Sequence, residues 1–94
     1  MGALMTRIGA ILARMDANDE ALVAALLAQL RAEQGAQGLS VVELGRRVGI
    51  HRNVLDRYLK GDRPMPIGIF IDLCSSLGVS PDVLIGRARE RMQR

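Results

Sequence analysis

The sequence predicts an all-α fold, and three observations predict it. Apolar residues make up 49% of the chain but aromatic ones only 2%, so a core has to be assembled from Leu, Ile, Val, Ala and Met rather than from a few large rings. Those apolar residues recur at spacings of three and four, the period of one helix face. Glycine, proline and serine fall at intervals that start and stop short helices. With 94 residues the chain makes one small domain, too small for a large catalytic scaffold.

The chemistry-bearing residues are few. His51 is the only histidine and Cys74 the only cysteine, which excludes an internal disulfide and leaves no ligand set for a usual zinc or iron–sulfur site. No serine sits in a G-x-S-x-G elbow and no P-loop is present. No enzyme, cofactor or metal is therefore expected. Arg7 and Arg14 interrupt the N-terminal segment where a signal peptide needs an unbroken apolar run, and no apolar stretch reaches the roughly 18 residues of a membrane span. A soluble, cytoplasmic protein is expected, with no membrane partner.

Each element has its own signals. Leu4, Met5, Ile8, Ile11, Leu12 and Met15 form one helical stripe, which Asp16 and Asn18 interrupt. Either of the two can cap a next helix, with Asp19 and Glu20 favourable for the dipole in its first turn and Leu22, Val23, Leu26, Leu27 and Leu30 as its apolar face. Gly35 and Gly38 end it. Ser40-Val41-Val42-Glu43 reads as a capping box, in which the serine and glutamate side chains each satisfy an orphan amide, so a short helix starts there and runs to about Val48. Gly49 turns the chain. A helix over 51–60 then faces Leu55, Tyr58 and Leu59 inward and Arg52, Asn53, Asp56 and Arg57 outward until Gly61 stops it. Pro66 suits the first turn of a further helix burying Ile67, Phe70, Ile71, Cys74 and Leu77 and ending at Gly78. Ser80-Pro81-Asp82 reads as cap, pre-set first residue and dipole-compatible acid of the last helix.

Charge is concentrated on the two short helices. The chain carries +3 overall, and residues 41–63 alone hold six basic side chains against three acidic ones, a surplus that suits an anionic partner. Two helices of about eight and ten residues joined through a glycine turn match the helix-turn-helix, whose second helix enters the DNA major groove. Gly45 is the small residue that the helix crossing needs, with alanine expected to be tolerated there and valine to overpack. Gly49 supplies the turn. Leu44, Val48, Ile50, Leu55 and Tyr58 are apolar where the unit faces its own core.

The stretch LSVVELGRRVGIHRNVLDRYLKG at 39–61, followed by FIDLCSSLGVSP at 70–81, resembles the phage-repressor and Cro family of helix-turn-helix proteins, the xenobiotic-response-element type. The resemblance covers roughly residues 19 to 86. It implies a five-helix, lambda-repressor-like DNA-binding domain, usually a homodimer on a double-stranded operator with two half-sites. The expected organisation is an additional N-terminal amphipathic helix at 1–15 and the DNA-binding domain at 16–94.

Carried onto this chain, the resemblance makes Arg52, Asn53, Asp56 and Arg57 the base-contacting face. Arginine can grip guanine bidentately, asparagine can pair with adenine, and aspartate can accept from cytosine. The competing arrangement pairs Arg52 with Asp56 and Asn53 with Arg57 on the helix surface, four residues apart. Arg47, His51, Lys60 and Arg63 are the phosphate-contacting candidates. Two positions depart from the family pattern. Val41 stands where many members carry a bracing glutamine, and His51 where Ser or Thr usually caps; capping, phosphate contact and base contact are all open to its imidazole. Cys74 is expected in the core.

The resemblance and the outward arginines imply a sequence-specific transcriptional regulator, a repressor of the phage immunity or autoregulatory type, with no small-molecule ligand expected. The alternative is an antitoxin or protein adaptor on the same fold. Leu4, Ile8, Ile11, Leu12 and Met15 are the expected dimerisation residues, because an exposed stripe of this kind is unusual in a monomer. The rivals are a helix folded back onto its own core and an interface built from Leu84, Ile85 and the arginine-rich tail.

Overall fold

A computed structural model describes residues 17–94. It contains five α-helices: α1 Ala17–Ala36, α2 Val41–Val48, α3 Arg52–Lys60, α4 Ile67–Leu77 and α5 Pro81–Met92. No strand occurs among the described residues. The expected N-terminal stripe, Leu4 to Met15, lies outside them. Among the described residues no single helix is long and apolar enough to cross a membrane.

Local signals place the boundaries. Ser40 caps α2, its Oγ accepting from the Glu43 N–H at 3.0 Å. The other half of the expected capping box is replaced, since the Glu43 carboxylate accepts from Arg46 at 3.1 Å and lies 3.7 Å from Arg47. Gly49 and Gly61 close α2 and α3 at φ +73° and +81°, in the left-handed region that only glycine enters cheaply. Pro66 sits one position outside α4 as its N-cap, rather than in its first turn, because its ψ of 145° is extended. Ser80 occupies the cap position of α5 but makes no capping bond to the backbone. Its hydroxyl instead serves Asp82, and that bond, with the Asp82 and Val83 amides, holds the Asp82 carboxyl below its ordinary value.

The core is aliphatic, as the composition requires. Leu30, Leu44, Leu55, Leu59, Leu73, Cys74, Leu77 and Leu84 form one buried cluster contributed by all five helices. Burial pushes the Cys74 thiol up from its ordinary value, so this residue is a core hydrophobe. α1 and α5 pack along each other and are pinned by polar contacts at one edge. Arg87 pairs with Glu33 and Arg91 donates to the Gln29 amide oxygen, while Gln29 is itself buried.

Three expected faces differ. On α4, Ile67 is 72% and Ile71 47% exposed, and Leu73 takes the inward place. Apolar residues cover most of that helix's circumference, so its neighbours rather than its periodicity choose the buried side. Val23 on α1 is 48% exposed although its phase matched Leu26, Leu27 and Leu30. Leu84 is fully buried in the core, which removes it from the rival dimer surface.

Candidate nucleic-acid interface

Gly45 sets the crossing of α2 and α3. It is buried, and its carbonyl accepts from the Ile50 N–H at 2.8 Å, folding the turn back against its own helix. A β-carbon built on Gly45 would meet the Ile50 carbonyl oxygen at 2.5 Å. The obstacle is backbone and cannot swing aside. This corrects the expectation that alanine fits: even one methyl forces the turn, and with it α3, to move. Leu55 and Leu59 lock the inner face of α3 into the core, and Val48 and Ile50 pack against the same cluster.

The two ends of α3 are held differently. At the N-terminus, His51 is the N-cap and its Nδ1 accepts from the Asn53 N–H at 3.1 Å. Of the three roles left open by the sequence, capping is therefore filled by one ring nitrogen, and the second, Nε2, carries the hydrogen. At the C-terminus, Arg31 reaches across from α1 and donates to the Leu59 carbonyl at 3.1 Å, a cation on an orphan carbonyl at the negative end of the helix dipole. Arg31 is a positioning residue that the sequence reading missed. Twenty-eight residues separate the two partners, and no local pattern marks such a contact.

The outward face is left open by this arrangement. Arg52, Asn53 and Arg57 are exposed, and their side chains have no hydrogen-bond or ion-pair partner among the described residues. The competing self-pairing of Arg52 with Asp56 does not form. Asp56 turns instead to Lys60, at 2.8 Å, the arrangement with the acid N-terminal to the base that helix geometry favours. That hydrogen bond and charge hold the Lys60 ammonium above its ordinary value. Arg47 lies at the end of α2, near Glu43, and Arg63 in the turn after α3; both are exposed.

Electrostatics at the start of α3 run against ordinary helix design. α1, α2 and α5 each carry an acid in the first turn and α3 and α4 carry none, and of the five only α3 opens on a cation, Arg52. A cation at the positive end of the dipole is unfavourable in isolation, and such local violations collect at functional sites. A helix with its side chains is about 10–12 Å across, a cross-section that the roughly 12 Å wide DNA major groove admits. Arg47 and His51 then stand toward one end of the helix, and Lys60 and Arg63 toward the other.

The family model for the helix-turn-helix domain matches residues 22–85, more than half of the chain. The chain belongs to the helix-turn-helix domain family. Two crystal structures of the clp gene regulator ClgR from Corynebacterium glutamicum share its fold. One is 23% identical with a TM-score of 0.67, covering 73% of this chain and 88% of that one. The other is 24% identical with a TM-score of 0.71, covering 77% of each. No curated protein matches the chain. At this identity the shared property is the fold alone. The matched residues contain α2, the Gly49 turn and α3 entire, so the two helices and the turn between them lie within the helix-turn-helix domain.

Proposed function

We propose that this helix-turn-helix protein is a sequence-specific, double-stranded-DNA-binding transcription regulator that reads the major groove with α3. The observation that carries the proposal is the open outward face of α3, where the side chains of Arg52, Asn53 and Arg57 have no partner among the described residues, beside an inner face locked onto α2. Arg52 and Arg57 offer bidentate donors to guanine, and Asn53 a donor and acceptor to adenine. Asp56 reaches a cytosine amino group only by giving up Lys60. Arg47, His51 through Nε2–H, Lys60 and Arg63 contact phosphates on the groove walls.

A single domain of this size covers half a site, so the protein acts as a homodimer on two half-sites one helical turn apart. Leu4, Ile8, Ile11, Leu12 and Met15 hold the copies together. The regulation we assign is repression by occupancy of an operator, of the phage immunity or autoregulatory type. The kinship of fold with a regulator of clp genes supports a regulatory role.

Arg52→Ala tests the assignment against Lys60→Ala. The first variant is expected to lose about 1–3 kcal/mol on the best sequence and to relax preference at one base pair. The second is expected to weaken all sequences alike and to lower the salt slope by about one. Thermal melting of Arg52→Ala stays at or slightly above the wild-type value, because removing a cation from the helix start relieves the dipole. Equal losses on specific and random duplexes for both variants would refute the division of roles.

A further inference from the structure

The last carbonyls of α3 have no partners within the helix. The Asp62 N–H donates to the Arg57 carbonyl at 3.0 Å and the Gly61 N–H to the Tyr58 carbonyl at 3.2 Å, so the turn that follows closes those two. The next carbonyl, that of Leu59, is served from another helix, where Arg31 of α1 donates to it at 3.1 Å. Leu27 lies one helical turn before Arg31 on the same face of α1. It abuts the same place, since a β-carbon on Gly61 would lie 3.3 Å from its Cδ1. α1 therefore meets the end of α3 at one apolar and one polar point.

The two ends of α3 are thus fixed by different means. At the start, backbone meets backbone where Gly45 approaches the Ile50 carbonyl, and that contact sets the distance from α2. At the end, side chains of α1 set the position. Leu55 and Leu59 hold the inner face down between the two, but apolar burial is non-directional, whereas a charge-assisted hydrogen bond has both a length and a direction. Residues 52–59 span about 10 Å, so a shift of about 1 Å at Leu59 swings the row of Arg52, Asn53 and Arg57 by roughly 6°. Positioned contacts such as bidentate grips on base edges tolerate errors of only about 0.5 Å. Phosphate contacts from long flexible stems are more forgiving.

We infer that Arg31 is a specificity-determining residue for DNA, although it stands on α1 and acts through the Leu59 carbonyl. It is a positioning residue, which sets where α3 lies against the bases and leaves the general attraction for the duplex unchanged. The inference rests on the DNA-binding reading above and names what directs that site.

The test compares Arg31→Met with Arg31→Lys in the full-length protein. Arg31 is exposed, so neither variant opens a core cavity; methionine removes every donor, and lysine keeps one charged donor on a stem of similar length. Each is titrated with the best duplex selected from a random pool and with random duplex, across salt. Arg31→Met is expected to lower the ratio of the two affinities about ten-fold with an unchanged salt slope, and Arg31→Lys to restore most of the ratio. An unchanged ratio would overturn the inference. So would equal losses on both duplexes with a slope lower by about one, which is the mark of a phosphate contact, or a lysine variant no better than methionine. Amide hydrogen exchange of the free protein supplies a readout without DNA. In Arg31→Met the Gly61 and Asp62 amides are expected to exchange about ten-fold faster while the Leu44 amide in α2 keeps its wild-type rate. Unchanged exchange at Gly61 and Asp62 would show that Arg31 does not hold this end of α3. A wild-type protein that binds no duplex would refute the DNA-binding reading instead, and the exchange rates keep the two failures apart.

Discussion

Gly45→Ala is expected to destabilise the domain by about 1–3 kcal/mol, and Gly45→Val by more, although alanine is the better helix former by up to about 1 kcal/mol. The sign is decided by distance. The added carbon falls 2.5 Å from the Ile50 carbonyl oxygen, in a turn tied by the Ile50 N–H to Gly45 oxygen bond. Relief requires Ile50 and His51 to move outward, which lifts the N-terminus of α3 off α2. DNA affinity should therefore fall beyond what the fraction unfolded explains, because the helix that remains folded is presented at the wrong angle. Thermal melting read beside DNA binding checks this. An alanine variant that melts above wild type and binds normally would mean that the two helices do not meet at this residue.

Leu55→Ala should cost about 2–5 kcal/mol, the range for deleting a fully buried leucine from a close-packed core. Leu55 has no exposed surface and stands on the inner face of the helix whose outer face carries Arg52 and Asn53. For a domain of this size each kcal/mol lowers the melting temperature by about 4–8 °C, so a fall of roughly 10 °C or more is expected. Total stabilities of about 5–15 kcal/mol leave the variant marginal rather than simply weakened. Denaturant titration gives the number. A loss below about 1 kcal/mol would show that the site collapses around the cavity and that α3 is not anchored by this side chain.

The helix boundaries were legible because their signals are local. Ser40, Gly49, Gly61, Gly78 and the Ser80-Pro81 pair stop or start helices where expected, to within a residue, since each acts on backbone groups beside it. Facing was less legible. The inward sets expected and observed on α4 share Phe70, Cys74 and Leu77, and differ by Ile67 and Ile71 against Ile69 and Leu73. A helix apolar on nearly every side leaves that choice to α1 and α2.

Contacts across long sequence separations were not legible at all. Arg31 on the Leu59 carbonyl and Gln37 on the Leu77 carbonyl join residues 28 and 40 positions apart, and neither leaves a trace in periodicity. The pairing of Asp56 was legible in principle, because Asp56–Lys60 has the favoured acid-first order and Arg52–Asp56 the reverse. The outward set Arg52, Asn53 and Arg57 emerged from the residues alone, since helical phase and a charge surplus both act within ten positions. The obstruction at Gly45 needed three dimensions. A glycine in a helix signals close approach without saying how close.

The central claim is that α3 reads DNA sequence, and the most direct measurement is selection of bound duplexes from a random pool by the full-length protein, followed by titration of the best sequence and of random duplex across salt. Enrichment of a two-half-site motif is expected, bound at least about 10³-fold more tightly than random duplex, with the affinity of both falling linearly in log salt. A pool that emerges unenriched, bound with no salt dependence, would contradict it.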